Sequence, residues 1–252
     1  MPAPRRARND PKQYDDLVAE WWPPRGAFAM LHWLAAARAR RIPPARAPGT
    51  VLLDVGCGAG LLAPHIRTLG YRHIGVDVSA SALALARTHG VAPCLADARR
   101  LPMADASAGV VVAGEILEHV PDLPAVIAEA CRVLAPGGTL VVDTIAATRL
   151  ARVVAVSIAE RLPFGAPHRL HDPALFVDRE RLVRDCARHG VSLRLYGLRP
   201  SIPALAEWFA HRRDDVPMVP TRLTCVLFGA VGVKAVPNRS ATPAVRVGMG
   251  GS

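Results

Sequence analysis

The tightest constraint on this chain is a seven-residue run, Asp54-Val55-Gly56-Cys57-Gly58-Ala59-Gly60, set between a short apolar stretch and a helical one. Glycine in alternate positions lets the backbone turn sharply and lets a ligand approach more closely than any Cβ would permit. A turn of this kind, leading from strand into helix, belongs to an open parallel sheet wrapped by helices. Such a sheet holds its ligand beyond the carboxyl ends of its strands.

The rest of the chain keeps the same rhythm. Strands are expected over Thr50 to Val55, His73 to Val78, Ala92 to Leu95, Gly109 to Gly114 and Thr139 to Thr144, and helices over Leu61 to Leu69, Ser79 to His89 and Leu123 to Leu134. Two further helices, Tyr14 to Trp22 and Phe28 to Arg41, precede the first strand, and one from Arg179 to His189 precedes two β-rich stretches, Ser192 to Leu198 and Arg222 to Val233. No helix is expected between those last two. Residues 1–12 and 237–252 lack periodicity and are expected to be flexible, leaving one α/β domain over 13–236, with N-terminal helices in 13–45 and a lid insertion at 146–176.

Apolar residues at 51% and charged residues at 21% describe a globular protein. The net charge of +10 is scattered, with no basic run interleaved with aromatics, which argues against a nucleic-acid partner. The five cysteines form no C-x-x-C pair, so neither a zinc ribbon nor a disulfide framework is indicated and a reducing cytoplasm is expected. No segment offers the roughly 20 uninterrupted apolar residues of a membrane span.

Acids stand at the strand ends where a ligand would lie. Asp54 precedes the first glycine by two residues, where it would oppose a diphosphate but suits the ammonium and sulfonium of S-adenosylmethionine. Asp77, followed by Val78, closes the second strand and is placed to accept from both ribose hydroxyls. Asp97, followed by Ala98, comes after the third and is placed to accept from the adenine amino group. The competing reading is a plain turn beside ordinary strand-end acids. With Gly56, Cys57, Gly58 and Gly60, and with Glu115 after the fourth strand, these residues form the expected cofactor set.

This set resembles the class I S-adenosylmethionine-dependent methyltransferases. The resemblance implies a Rossmann-like sheet of seven mostly parallel strands, the last antiparallel, with helices on both faces.

The acceptor side is expected around Glu115-Ile116-Leu117-Glu118-His119. On one helical turn Glu115, Glu118 and His119 would share a face at i, i+3 and i+4. Such a trio could chelate magnesium, manganese or zinc, and the metal would acidify a phenol whose ordinary pKa is about 10. His119 could instead act as a metal-free general base, or the group could simply shape the site.

A closer similarity is to the ubiquinone-biosynthesis O-methyltransferases, carried by Trp21-Trp22, Gly26, Phe28, Leu31-His32, Glu115-x-x-Glu118-His119 and His171-Asp172. That resemblance implies a catechol-like, lipid-bearing acceptor, a divalent metal at Glu115, Glu118 and His119, and a lid segment at 150–165 that touches lipid. Trp21, Trp22, His32, His168 and His171 are the residues expected to line the acceptor pocket or anchor its lid. Ala146-Ala147 and Arg199-Pro200-Ser201 depart from the family pattern at places that border the acceptor, which leaves room for another phenol, such as a natural-product intermediate. The alternatives are a class I enzyme that methylates carbon or nitrogen of a small molecule, and a non-catalytic cofactor- or lipid-binding member of a biosynthetic complex. Oligomeric state is not legible in the sequence.

Overall fold

The computed structural model describes residues 6–161, 167 and 169–237. Expectations placed on residues 1–5, 162–166, His168 and 238–252 lie outside the described residues.

Five strands form the parallel core: β1 (Val51–Val55), β2 (Arg72–Asp77), β3 (Ala92–Leu95), β4 (Ala108–Gly114) and β5 (Leu134–Ile145). Three later strands complete one eight-stranded sheet: β6 (Val191–Pro200), β7 (Met218–Thr221) and β8 (Leu227–Lys234), in the order β3-β2-β1-β4-β5-β8-β6-β7. β8 runs antiparallel to both β5 and β6, and β7 pairs antiparallel with β6 at the edge. The expected seven strands are therefore eight, because Met218–Thr221 adds a short edge strand that carries Pro220, a residue tolerated where ladder donors face outward.

Helices cover both faces. They are α1 (Lys12–Asp16), α2 (Ala29–Ala39), α3 (Ala63–Ile66), α4 (Ala80–Thr88), α5 (Leu123–Val133), α6 (Arg149–Arg152), α7 (Arg179–Arg188) and α8 (Ile202–Phe209). Their starts follow side-chain chemistry: Ser79, Asp122 and Asp178 cap α4, α5 and α7 by accepting from the N–H three residues on. α8 lies between β6 and β8, where no helix was expected. Its amphipathic run buries Ala204 and Trp208 against Trp33 and Leu34 of α2, so a second small core forms beside the sheet.

Chain order reverses between β1 and β4, so a crevice opens beyond the carboxyl ends of β1, β2 and β4. The insertion after β5 leaves and returns at one point, closed by a bridge between Ala146 and Val177. It begins with α6 and continues through a π-helical stretch, Val153–Ile158, into a 3₁₀ turn at Ala159–Arg161.

Candidate functional site

One cavity of about 690 Å³ runs from the glycine turn to the lid. Its first end is built by backbone. Gly56 N and Cys57 N donate to Val76 O at 2.8 and 3.1 Å, which clamps the turn to β2. Gly58, at φ +50°, donates its N–H to Asp77 Oδ2 at 2.8 Å, and Ser79 N donates to Asp77 Oδ1 at 2.9 Å. Each Asp77 oxygen retains acceptor capacity beyond these bonds, so the carboxylate stays fit to receive hydroxyl donors. Burial pushes its pKa up, and the backbone donors at Ser79 and Gly58 work against that rise. A Cβ at Gly58 would run into the indole of Trp21, which closes over the turn. Gly60, at φ +79°, serves instead to let the turn pack against Ala86 of α4.

The other expected cofactor residues are placed as follows. Asp54 is buried at the end of β1, its Oδ2 lying 3.2 Å from His73 Nε2. Cys57 is buried beneath the turn, its thiol pushed well up by burial. Val78 and Ala98 line the cavity, as does Asp97, whose carboxylate is engaged by Arg99 at 2.6 Å. That side-chain bond and the Arg99 N–H hold Asp97 below the usual carboxylate range.

Behind the turn lies an ion pair that sequence reading missed. Arg38 of α2 donates from Nε and Nη2 to Asp143 of β5 at 2.6 and 2.7 Å, and both side chains are buried. Gly114 is glycine because a Cβ there would strike the Arg38 guanidinium. Arg38, Asp54 and Glu115 all line the cavity at this corner, which therefore presents a cation beside two acids.

On the acceptor side the expected helical turn does not form. Glu115 is left-handed, at φ +53°, with its N–H bonded to Asp143 O at 2.9 Å, and only Leu117–His119 makes a 3₁₀ turn. Glu115, Glu118 and His119 consequently do not share a face. Glu118 is fully buried below the cavity wall, accepting from Thr144 Oγ1 at 2.7 Å. Both ring nitrogens of His119 are engaged, Nδ1 with Asn9 at 2.6 Å and Nε2 with the Tyr14 hydroxyl at 3.3 Å. Among the described residues no three His, Cys, Asp or Glu side chains are arranged to hold a metal ion. The metal expected at Glu115, Glu118 and His119 therefore finds no support among the described residues.

Glu115 Oε1 and Glu118 Oε1 are buried with no hydrogen-bond partner among the described residues. Burial raises both carboxyls, Glu115 well above the ordinary range and further so because Glu118 lies beside it.

His119 turns its free surface to the cavity, and burial together with His171 pulls its pKa down to about 3. His171 stacks on it at 5.4 Å and also lines the cavity. Trp21 lines the cavity too, stacked on Phe28 at 4.3 Å. Trp22 and His32 do not reach it: Trp22 stacks on His89, and His32 Nε2 braces Trp21 O at 2.8 Å. The far end is apolar, with Val154 and Ile158 from the lid, Leu205 and Phe209 from α8, and Leu227. Arg199 and Pro200, expected to border the acceptor, line the same end.

The methyltransferase-domain family matches residues 53–142. Over 217 residues the chain is 33% identical to the ubiquinone biosynthesis O-methyltransferase of Mesorhizobium japonicum, covering 77% of this chain and 86% of that protein. The enzyme of the same name from Thiobacillus denitrificans is 33% identical over 188 residues, covering 71% of this chain and 81% of the relative. Among solved structures, an S-adenosylmethionine-dependent methyltransferase from Thermotoga maritima, described as a possible histamine N-methyltransferase, superposes with a TM-score of 0.61 at 19% identity, covering 88% of this chain and 97% of that one. That likeness concerns the fold alone.

Proposed function

Because the chain belongs to the ubiquinone biosynthesis O-methyltransferase family of class I S-adenosylmethionine-dependent methyltransferases, we propose that it transfers the methyl group to a phenolic or catechol oxygen of a quinone-precursor-like or natural-product small molecule. The observation that carries this reading is a continuous cavity that joins Asp77 to His119 and an apolar wall.

The residues divide the work by charge. Asp77 accepts from the ribose hydroxyls, and the backbone at Gly56 and Gly58 lets the nucleoside lie against the turn. Arg38, whose Nη1 is not used in its pair with Asp143, would hold the carboxylate of the methionine end, while Asp54 and Glu115, lining the same cavity, would hold its ammonium. When bound, S-adenosylmethionine supplies the methyl group, and its sulfur departs with the electron pair of the broken bond as the thioether of S-adenosylhomocysteine.

His119, a neutral imidazole because burial holds its pKa down, takes the proton at Nε2 as the new C–O bond forms and makes the phenolic O–H strongly acidic. The phenol gives its proton to the Tyr14 hydroxyl, which already touches Nε2 and passes its own proton on. Burial pushes the Tyr14 phenol up, so Tyr14 relays as a neutral hydroxyl. The protein thus contributes alignment and proton removal, and no step is routed through a metal.

The apolar end suits an acceptor with a lipid-like substituent. Leu150, Val153 and Ile158 stand about half exposed on the lid, which supports contact, from the cytoplasm, between the described part of this segment, 150–161, and the inner membrane face. No described helix is long and apolar enough to cross a membrane.

The test is a panel of catechols and other phenols incubated with methyl-labelled cofactor, with and without added magnesium or zinc after dialysis against chelator, read by product mass. The expected result is a labelled methyl ether formed equally well without metal. Labelled carbon or nitrogen products, or binding without turnover across the panel, would point to the other classes. A strict metal requirement would overturn the proton route.

A further inference from the structure

The segment before α1 carries a contact that neither the family match nor the proposed reaction assigns. Asn9 meets His119 twice: its Nδ2 donates to the His119 carbonyl oxygen at 2.8 Å, and its Oδ1 lies 2.6 Å from His119 Nδ1. The first contact fixes the amide, because a carbonyl oxygen only accepts and must therefore face the NH₂ group. Oδ1 then faces the ring. Since Oδ1 only accepts, Nδ1 must carry the proton, and the lone pair of the neutral ring sits on Nε2, the nitrogen that meets Tyr14 at the cavity.

The segment is held so that Asn9 stays in place. Asn9 occupies the left-handed region, at φ +58°, which asparagine tolerates better than most residues. Its own N–H donates to Arg169 O at 3.2 Å. Arg8 beside it donates to the His171 carbonyl oxygen at 2.7 Å and to both Glu160 oxygens at 3.2 Å. The two histidines stacked at the acceptor side are thus both gripped by Arg8 and Asn9.

We infer that Asn9 is a positioning residue that locks His119 in its Nδ1-protonated tautomer, so that the lone pair on Nε2 faces the Tyr14 hydroxyl that lines the cavity. This deepens the proposed phenol methylation and rests on it for its kinetic consequence, but the tautomer itself does not depend on any reaction.

The experiment uses the full chain, labelled with ¹⁵N-histidine, with the His119 signals assigned by their loss in His119→Gln. Wild-type protein is expected to show the proton on Nδ1. Asn9→Gly, which removes the side chain while accommodating the left-handed backbone, is expected to shift the ring toward the Nε2-protonated form. It should lower kcat about 10- to 100-fold and leave KM for the cofactor within about 2-fold. Asn9→Asp keeps an acceptor facing Nδ1 but loses the donor to the His119 carbonyl oxygen, so it is expected to keep the Nδ1 proton and to recover part of the kcat lost in Asn9→Gly despite lower stability, which a merely structural role would not give. A wild-type His119 protonated on Nε2, or an Asn9→Gly variant with unchanged tautomer or unchanged kcat, would overturn the inference. If the tautomer behaves as stated and no phenol is methylated, the inference stands and the proposed reaction fails.

Discussion

Arg38 and Asp143 meet side-on in the interior, with Nε to Oδ2 at 2.6 Å and Nη2 to Oδ1 at 2.7 Å, against the one position on β4 where glycine leaves room for a guanidinium. The pair ties α2 to the end of β5 and sets a cation beside the cofactor turn. Removing either partner strands a buried charge. Asp143→Ala and Arg38→Met are therefore each expected to destabilise the fold by about 3–5 kcal/mol, measured by urea unfolding. Loss of under about 1 kcal/mol in both variants would show that the pair is not buried as described.

The contact between Gly58 and Trp21 makes a second prediction. Any side chain at residue 58 must adopt φ +50° and displace the indole that roofs the turn. Gly58→Ala is expected to cost about 1–3 kcal/mol of stability and to weaken cofactor affinity about 10-fold or more. Calorimetry with S-adenosylhomocysteine gives the second figure, and wild-type affinity would mean that the turn does not carry the ligand.

Glu160 predicts a pH dependence. Burial opposes its charge, but the His171 imidazole, the N–H groups of His171 and Arg169, and the Arg8 guanidinium outweigh it and bring the pKa down to about 2. An unfolded glutamate titrates near 4.3, so the unfolded chain binds more protons between those values. The carboxylate contributes its full stability, up to about 3 kcal/mol, above about pH 4.3 and loses it as pH falls toward about 2. Glu160→Gln should lower Tm by about 5–10 °C at pH 7, with the gap to wild type narrowing below about pH 4. A gap that stays constant down to pH 3 would contradict this assignment.

The parts of the site made by backbone were legible in the sequence, because a run of alternating glycines marks a tight turn after a strand, and the acid that closes the next strand, Asp77, falls beside it. Arg38 was legible in principle. It shares a helical stripe with Leu31, Leu34 and Ala35, and a charge on an otherwise apolar face needs a buried partner, which Asp143 within the apolar run of β5 supplies. The helical turn expected to carry Glu115, Glu118 and His119 on one face does not form, because the chain leaves β4 left-handed at Glu115, with Glu115 N bonded to Asp143 O. Asn9 left no local mark at all. Its role depends on a hydrogen bond across 110 residues of sequence, in a segment whose polar composition looks like a loose end.

Calorimetry of S-adenosylhomocysteine binding to wild type and to Asp77→Asn tests the account most directly. Asp77→Asn keeps the volume of the side chain but halves its acceptor oxygens, one of which already receives Gly58 N and the other Ser79 N. The account predicts measurable binding by wild type and at least about a 100-fold loss in the variant, with Tm lowered by only a few degrees. Equal affinity in the two proteins, or no binding by wild type, would contradict it.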